Sequence, residues 1–190
     1  MENCSVEGVI ISSGGYIGGV AGLNAGIVRN CFAAVDVTGL RLVGGVAGIN
    51  GYPGFPGILD RCYATGAVKA TDVTDGAAGG VIRASAIGSV QNCVALNGSV
   101  ETGSDPSRIG RVVGIDPVGS SIILNNYARN DMTVTVGSGV YTVAPDPDGE
   151  DGADVSAAQY NTQSFWEGLG YDFSITGPWI WNTILQLPVI

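Results

Sequence analysis

Apolar positions along this chain do not follow a helical period. They alternate over short runs, such as Ala34-Val35-Asp36-Val37-Thr38-Gly39, Gly66-Ala67-Val68-Lys69-Ala70-Thr71 and Gly98-Ser99-Val100-Glu101-Thr102-Gly103. Alternation of this kind marks a half-buried strand. Between the runs lie glycine-dense apolar segments. Tyr16-Ile17-Gly18-Gly19-Val20-Ala21-Gly22-Leu23-Asn24 and Leu42-Val43-Gly44-Gly45-Val46-Ala47-Gly48-Ile49-Asn50 are near copies, with weaker versions at Ala77–Ile82 and Arg108–Ile115. Four cysteines, at 4, 31, 62 and 93, are spaced by 27, 31 and 31 residues and set the period of the pattern. Their contexts match: Asn3-Cys4, Asn30-Cys31-Phe32-Ala33, Arg61-Cys62-Tyr63-Ala64 and Asn92-Cys93-Val94-Ala95, with a fifth copy at Asn125-Asn126-Tyr127-Ala128.

A unit of roughly 30 residues with about three short strands cannot bury its own apolar face, but it can do so by stacking on its neighbours. Equivalent residues then pile up about 4.8 Å apart, the parallel-strand spacing. Glycine suits corners that need φ > 0 and places where backbones approach closely. An α-solenoid is excluded, because so much glycine would cost roughly 1 kcal/mol at each helical position. The expected fold is therefore all-β: a parallel β-helix of about five coils, right-handed by the crossover rule. Residues 1–143 form the solenoid, with residues 138–143 as one last strand, and residues 144–155 form an acidic linker. Residues 156–190 hold Trp166, Trp179 and Trp181 and read as an aromatic-rich cap on the open solenoid end. A short helix is expected over residues 156–167, with Ser156 or Asp154 as N-cap and Gly168 as the stop.

Composition narrows the function classes. The 31 glycines follow no G-X-Y period, which excludes collagen, and 45% hydrophobic with 13% charged residues excludes a disordered tail. A net charge of −9, without a Lys/Arg cluster, argues against a nucleic-acid partner or an anionic membrane surface. No apolar run is long enough to span a bilayer, so no membrane insertion is expected. The N-terminus lacks a signal-peptide pattern and starts inside a repeat, so the expectation is a piece of a longer secreted chain.

Four kinds of residue could carry chemistry. The cysteines are expected to form a buried ladder of free thiols: ligands some 30 residues apart along a stack cannot surround one zinc ion, and parallel Cβ vectors disfavour disulfides. Carboxylates at similar offsets in adjacent coils would suggest a glycosidase or lyase, but Glu7, Asp36, Asp72 and Glu101 fall at different offsets and the chain has no histidine. Arg41 and Asp72 share an offset and are expected to pair. Residues 146–154 alternate carboxylates without completing a calcium loop, so a solvated linker is expected and no metal or other cofactor. Among the aromatics, Tyr63 aligns with Phe32 and Tyr127 in a packing column. Tyr52 and Phe55, in the insertion Tyr52-Pro53-Gly54-Phe55-Pro56-Gly57, must leave the coil as a loop and are the candidate ligand contacts.

The glycine segments, Gly18-Gly19-Val20-Ala21-Gly22-Leu23-Asn24 above all, resemble the GLUG motif. That repeat occurs in bacterial surface proteins and in some immunoglobulin A peptidases outside their catalytic domains. The resemblance implies an extracellular, adhesin-like module at the bacterial cell surface without enzymatic activity, whose partner is a host or matrix protein or a glycan. The alternatives are a passive structural spacer and a carbohydrate-active β-helix enzyme fragment.

Overall fold

The computed structural model describes residues 1–103, 105–117, 119–137 and 139–190. Each coil has three faces. In the first coil these are β1 (Glu2–Ser12), β2 (Tyr16–Gly18) and β3 (Ala21–Asn24), and in the second β4 (Ile27–Gly39), β5 (Leu42–Gly44) and β6 (Ala47–Asn50). Equivalent strands pair in parallel from coil to coil. The long first face repeats through residues 57–70, 88–102 and 122–136. The second and third faces are each four strands deep. The solenoid thus has four complete turns, and the expected fifth coil contributes only its long face.

The register is the one the cysteines set: Cys4 opposes Cys31, Phe32 opposes Tyr63, and Val94 opposes both Tyr63 and Tyr127. Cys31, Cys62 and Cys93 are fully buried among the valine and alanine columns, and all four cysteines are free. The Cys31 and Cys93 thiols each donate to the carbonyl two residues back, at 3.2 Å.

The residue before each cysteine has a second reason to recur. Asn3, Asn30, Arg61, Asn92 and Asn125 all adopt φ between 50° and 55°. That left-handed conformation turns the chain between two segments of the long face, and asparagine tolerates it better than most residues. Their side chains also link the coils, Asn30 Nδ2 donating to Asn3 Oδ1 at 3.2 Å and Asn125 Nδ2 to Asn92 Oδ1 at 2.8 Å. The motif glycines serve the other expected purpose, close approach. A Cβ at Gly44 would lie 1.9 Å from the Ala47 carbonyl oxygen, and one at Gly45 would lie 2.0 Å from the Gly80 oxygen. The asparagine that ends each motif closes the corner into the next coil: Asn24 Nδ2 donates to Asn50 Oδ1 at 2.8 Å, and Asn50 Nδ2 to the Ser89 carbonyl at 2.9 Å.

The C-terminal third departs from expectation in its placement. Residues 144–148 are exposed, as a solvated linker would be, but residues 149–155 form the closure of the last coil. The Glu150 carbonyl accepts from Val112 and Val113 N–H, and Ala153–Val155 adds a parallel strand beside Tyr127–Arg129. Arg111, 2% exposed, stands where earlier coils have Gly19, Gly45 and Gly80, and with no further coil above it the side chain has room to turn over the end. Its guanidinium donates to the Asp151 and Gly152 carbonyls and pairs with Asp154 at 2.6 Å, while its backbone N–H meets the Asp151 carboxylate at 3.0 Å.

The aromatic tail, in turn, packs on the flank of the solenoid rather than its end. The outward column of Phe32, Tyr63 and Val94 is apolar and stacking on further coils does not cover it, so Trp166, Leu169, Tyr171 and Trp179 bury it. The tail holds two short helices, α1 (Ala157–Tyr160) and α2 (Gln163–Gly168), instead of one; the break falls at Asn161, which leaves helical geometry at φ −81°, ψ 17°. Ser156 is the cap of the first, its N–H held by Gln159 Oε1 at 3.0 Å. Of the expected strand over residues 138–143, Gly139–Val140 pairs antiparallel with Thr135–Val136, and Ser138 lies outside the described residues.

Candidate binding surface

The loop after β6 is built by a tight reversal. Gly51 at φ 80° points the chain outward, and its N–H bonds the Asn24 carbonyl of the coil below at 2.7 Å. Tyr52 and Phe55 then exchange both backbone hydrogen bonds, at 2.9 and 2.7 Å, across Pro53 and Gly54. Proline at the first central position with glycine at φ 84° in the second is the pattern a type II turn demands. The loop is therefore a clamped hairpin tip, and its two rings stand 55% and 62% exposed. Leu23 and Ile27, exposed at 45% and 41%, flank it, because Leu23 pairs with Ile49 just before the loop and Ile27 with Ile58 just after. The result is an apolar corner of four side chains on a backbone fixed by coil-to-coil ladders.

Of the other aromatics singled out in the sequence, Tyr16 is exposed, whereas Tyr63 is buried with its ring stacked on Phe32 at 5.1 Å. Its hydroxyl donates to the Pro188 carbonyl, and burial, with Glu7 nearby, pushes its pKa up. Trp166 and Trp179 are wholly consumed by packing and offer no stacking platform. Sequence reasoning missed a cleft of about 340 Å³ between flank and tail, lined by Glu7, Phe32, Tyr63, Leu185, Leu187 and Val189. Only the alignment of Phe32 with Tyr63 hinted at an outward apolar column there.

Several acidic groups are engaged in structure. Asp60, buried, binds Arg29 Nε at 3.2 Å, Arg61 at 2.8 Å and Asn92 Nδ2 at 3.0 Å. Asp72 pairs with Arg41 at 3.2 Å, as their shared offset predicts, and lies well below the usual carboxylate range because the Thr74 hydroxyl and backbone N–H groups bond it. Lys69 and Glu101 pair at 2.7 Å across adjacent coils. Glu150 is raised by burial, and its side chain accepts from Asp116 N–H at 3.0 Å.

No curated protein matches the chain. Among solved structures it is similar to the 1.30 Å crystal structure of a candidate immunoglobulin A1 protease from Bacteroides ovatus, with a TM-score of 0.58 at 20% identity. The alignment covers 86% of this chain and 57% of that protein, so the chain spans little more than half of its neighbour's length. At that identity the likeness speaks for the fold alone. The family model for the GLUG motif matches residues 13–38, the span from the end of β1 through the first glycine segment into β4. The chain is a parallel β-solenoid that carries the GLUG motif.

Proposed function

We propose that this chain is a non-enzymatic adhesion module of an extracellular protein at the bacterial cell surface, which contacts a host or matrix protein or a glycan through Tyr52 and Phe55. The observation that carries the reading is the clamped hairpin tip, which presents two aromatic rings to solvent on a rigid scaffold. Rings fixed before contact lose little conformational freedom on binding, and exposed aromatics are the residues that dominate contact energies. The motif and the shared fold support a surface-protein module. The engagement of Asp60, Asp72 and Glu150 in ion pairs and backbone contacts supports a non-catalytic role.

The test is a screen of the purified chain and its Tyr52→Ser/Phe55→Ser double variant against a glycan array and a panel of matrix proteins. The expected result is a ligand that the parent binds and the variant loses, by about tenfold or more per ring if each ring contributes about 1.4 kcal/mol. A variant that binds as well as the parent would refute the loop, and a parent that binds nothing would favour the spacer.

A further inference from the structure

Beside the tail, the outward side chains of the long face stand in two columns. One runs Ser5, Phe32, Tyr63 and Val94, and the other, two residues on, runs Glu7, Ala34, Thr65 and Leu96. The second column is short where the first is tall. Ala34 and Thr65 sit beside the Phe32 and Tyr63 rings, which stack at 5.1 Å with 9° between their planes. The tail crosses this step without filling it, and a cleft of about 340 Å³ remains beneath Leu185, Leu187 and Val189. That volume falls within the range of about 300–1,000 Å³ typical of small-molecule sites, which are mainly apolar with a few polar groups to fix orientation.

The polar groups of the cleft are few and unequal. The Tyr63 hydroxyl is already committed to the Pro188 carbonyl. Glu7 is the one charged side chain on the lining among the described residues. Seven of the eight basic side chains, and no other described group, form ion pairs with carboxylates, and none of those carboxylates is Glu7. The Glu7 charge reaches the interior, since after burial it is the cause that pushes the Tyr63 pKa up. On the tail side, Leu185 is 60% exposed and turns an apolar wall to water.

We infer that this cleft takes a small arylalkyl ammonium: the ring lies between the Phe32–Tyr63 pair and the tail leucines, and the ammonium donates to the Glu7 carboxylate at the mouth. Aromatic walls favour an aromatic body. A carboxylate that borders apolar walls loses water when the cleft fills, and a cation donating to it replaces what is lost. A neutral ligand of the same shape leaves that loss uncompensated, and an anion adds repulsion. The cleft shares no residue with the Tyr52–Phe55 loop, so each reading can fail without the other.

Calorimetric titration of the intact chain with 2-phenylethylammonium chloride, sodium 3-phenylpropanoate and 2-phenylethanol tests the assignment, because the three share a ring and a two-carbon stem. The ammonium is expected to bind at least about tenfold more tightly than the carboxylate, with the alcohol between them. Glu7→Gln should bring the ammonium down to the level of the alcohol, and Leu185→Ser should weaken both alike. Glu101→Gln, farther along the long face, should bind as the parent does. Melting curves confirm that each variant is folded. No binding of the ammonium at millimolar concentration, equal affinity for ammonium and carboxylate, or undiminished ammonium binding by Glu7→Gln would overturn the site. Nα-acetyl-lysine amide binding more tightly than 2-phenylethylammonium would overturn the small ligand in favour of a lysine side chain from a partner protein.

Discussion

Replacing Trp166 with alanine probes how the tail is held. The side chain is 0% exposed, with ring centroids 5.1 Å from Tyr63, 5.5 Å from Phe165 and 4.9 Å from Tyr171. Its Nε1 donates to the Tyr160 carbonyl at 2.7 Å. Burial of such a ring removes about 150–250 Å² from water, which at about 25 cal/mol per Å² corresponds to about 4–6 kcal/mol. Measured losses for aromatic truncation in cores are about 3–5 kcal/mol. For a chain of this size each kcal/mol lowers the melting midpoint by about 2–4 °C, so a drop of roughly 6–20 °C is expected. Because the tail docks as a unit, the loss should appear first as release of residues 156–190, with faster proteolysis near the junction while the solenoid survives. Urea titration followed by tryptophan fluorescence, together with limited proteolysis, measures both. A variant with an unchanged midpoint and an unchanged cleavage pattern would show that the aromatic cluster does not hold the tail.

Two further outcomes are expected. Gly45→Ala should destabilise strongly, because its Cβ would sit 2.0 Å from the Gly80 carbonyl oxygen, whereas Gly98→Ala, with nothing within 4 Å, should melt with the parent; equal melting of the two would refute the close-approach account. The thiol–thiol contact with Cys62 and then burial push the Cys31 thiol up, and burial pushes Cys62 up, so a thiol reagent at neutral pH should label half-buried Cys4 first and reach all four cysteines only after denaturation without reductant; a denatured count below four would mean a disulfide.

The coil itself was legible in the sequence because its causes repeat. The cysteine spacing gave the register, and in-register Cys4 and Cys31 pairing is what it predicts. The glycine doublets were visible, but one sequence cannot separate their two uses, and the left-handed corners proved to belong to the Asn-Cys step. What was not legible is what happens once. Arg111 read as decay of the fourth motif, and only the structure shows it bonded to residues 151–154 across the end. Residues 146–154 read as solvated because their carboxylates do not complete a calcium loop. Their partners are backbone N–H groups and an arginine some 40 residues away. The tail was assigned to the end because open ends need covering, but that need was already met, and the exposed Phe32–Tyr63 column required cover as well. The Tyr52–Phe55 loop was legible as an insertion that the repeat cannot hold, whereas its type II turn came only with the structure.

The flank packing changes how the solenoid can come apart. In an array whose units touch only adjacent units, each end can fray one rung at a time, and stability adds up along the axis. Here one segment, residues 155–189, touches Phe32 in the second coil, Tyr63 in the third, Val94 and Leu96 in the fourth and Tyr127 in the last rung. Peeling any one of these rungs also strips its share of a common aromatic contact. The tail thereby turns a ladder of pairwise couplings into a single cooperative block. The first coil has Ser5 at the aromatic position, so the shared aromatic contact that couples the rungs starts at the second coil.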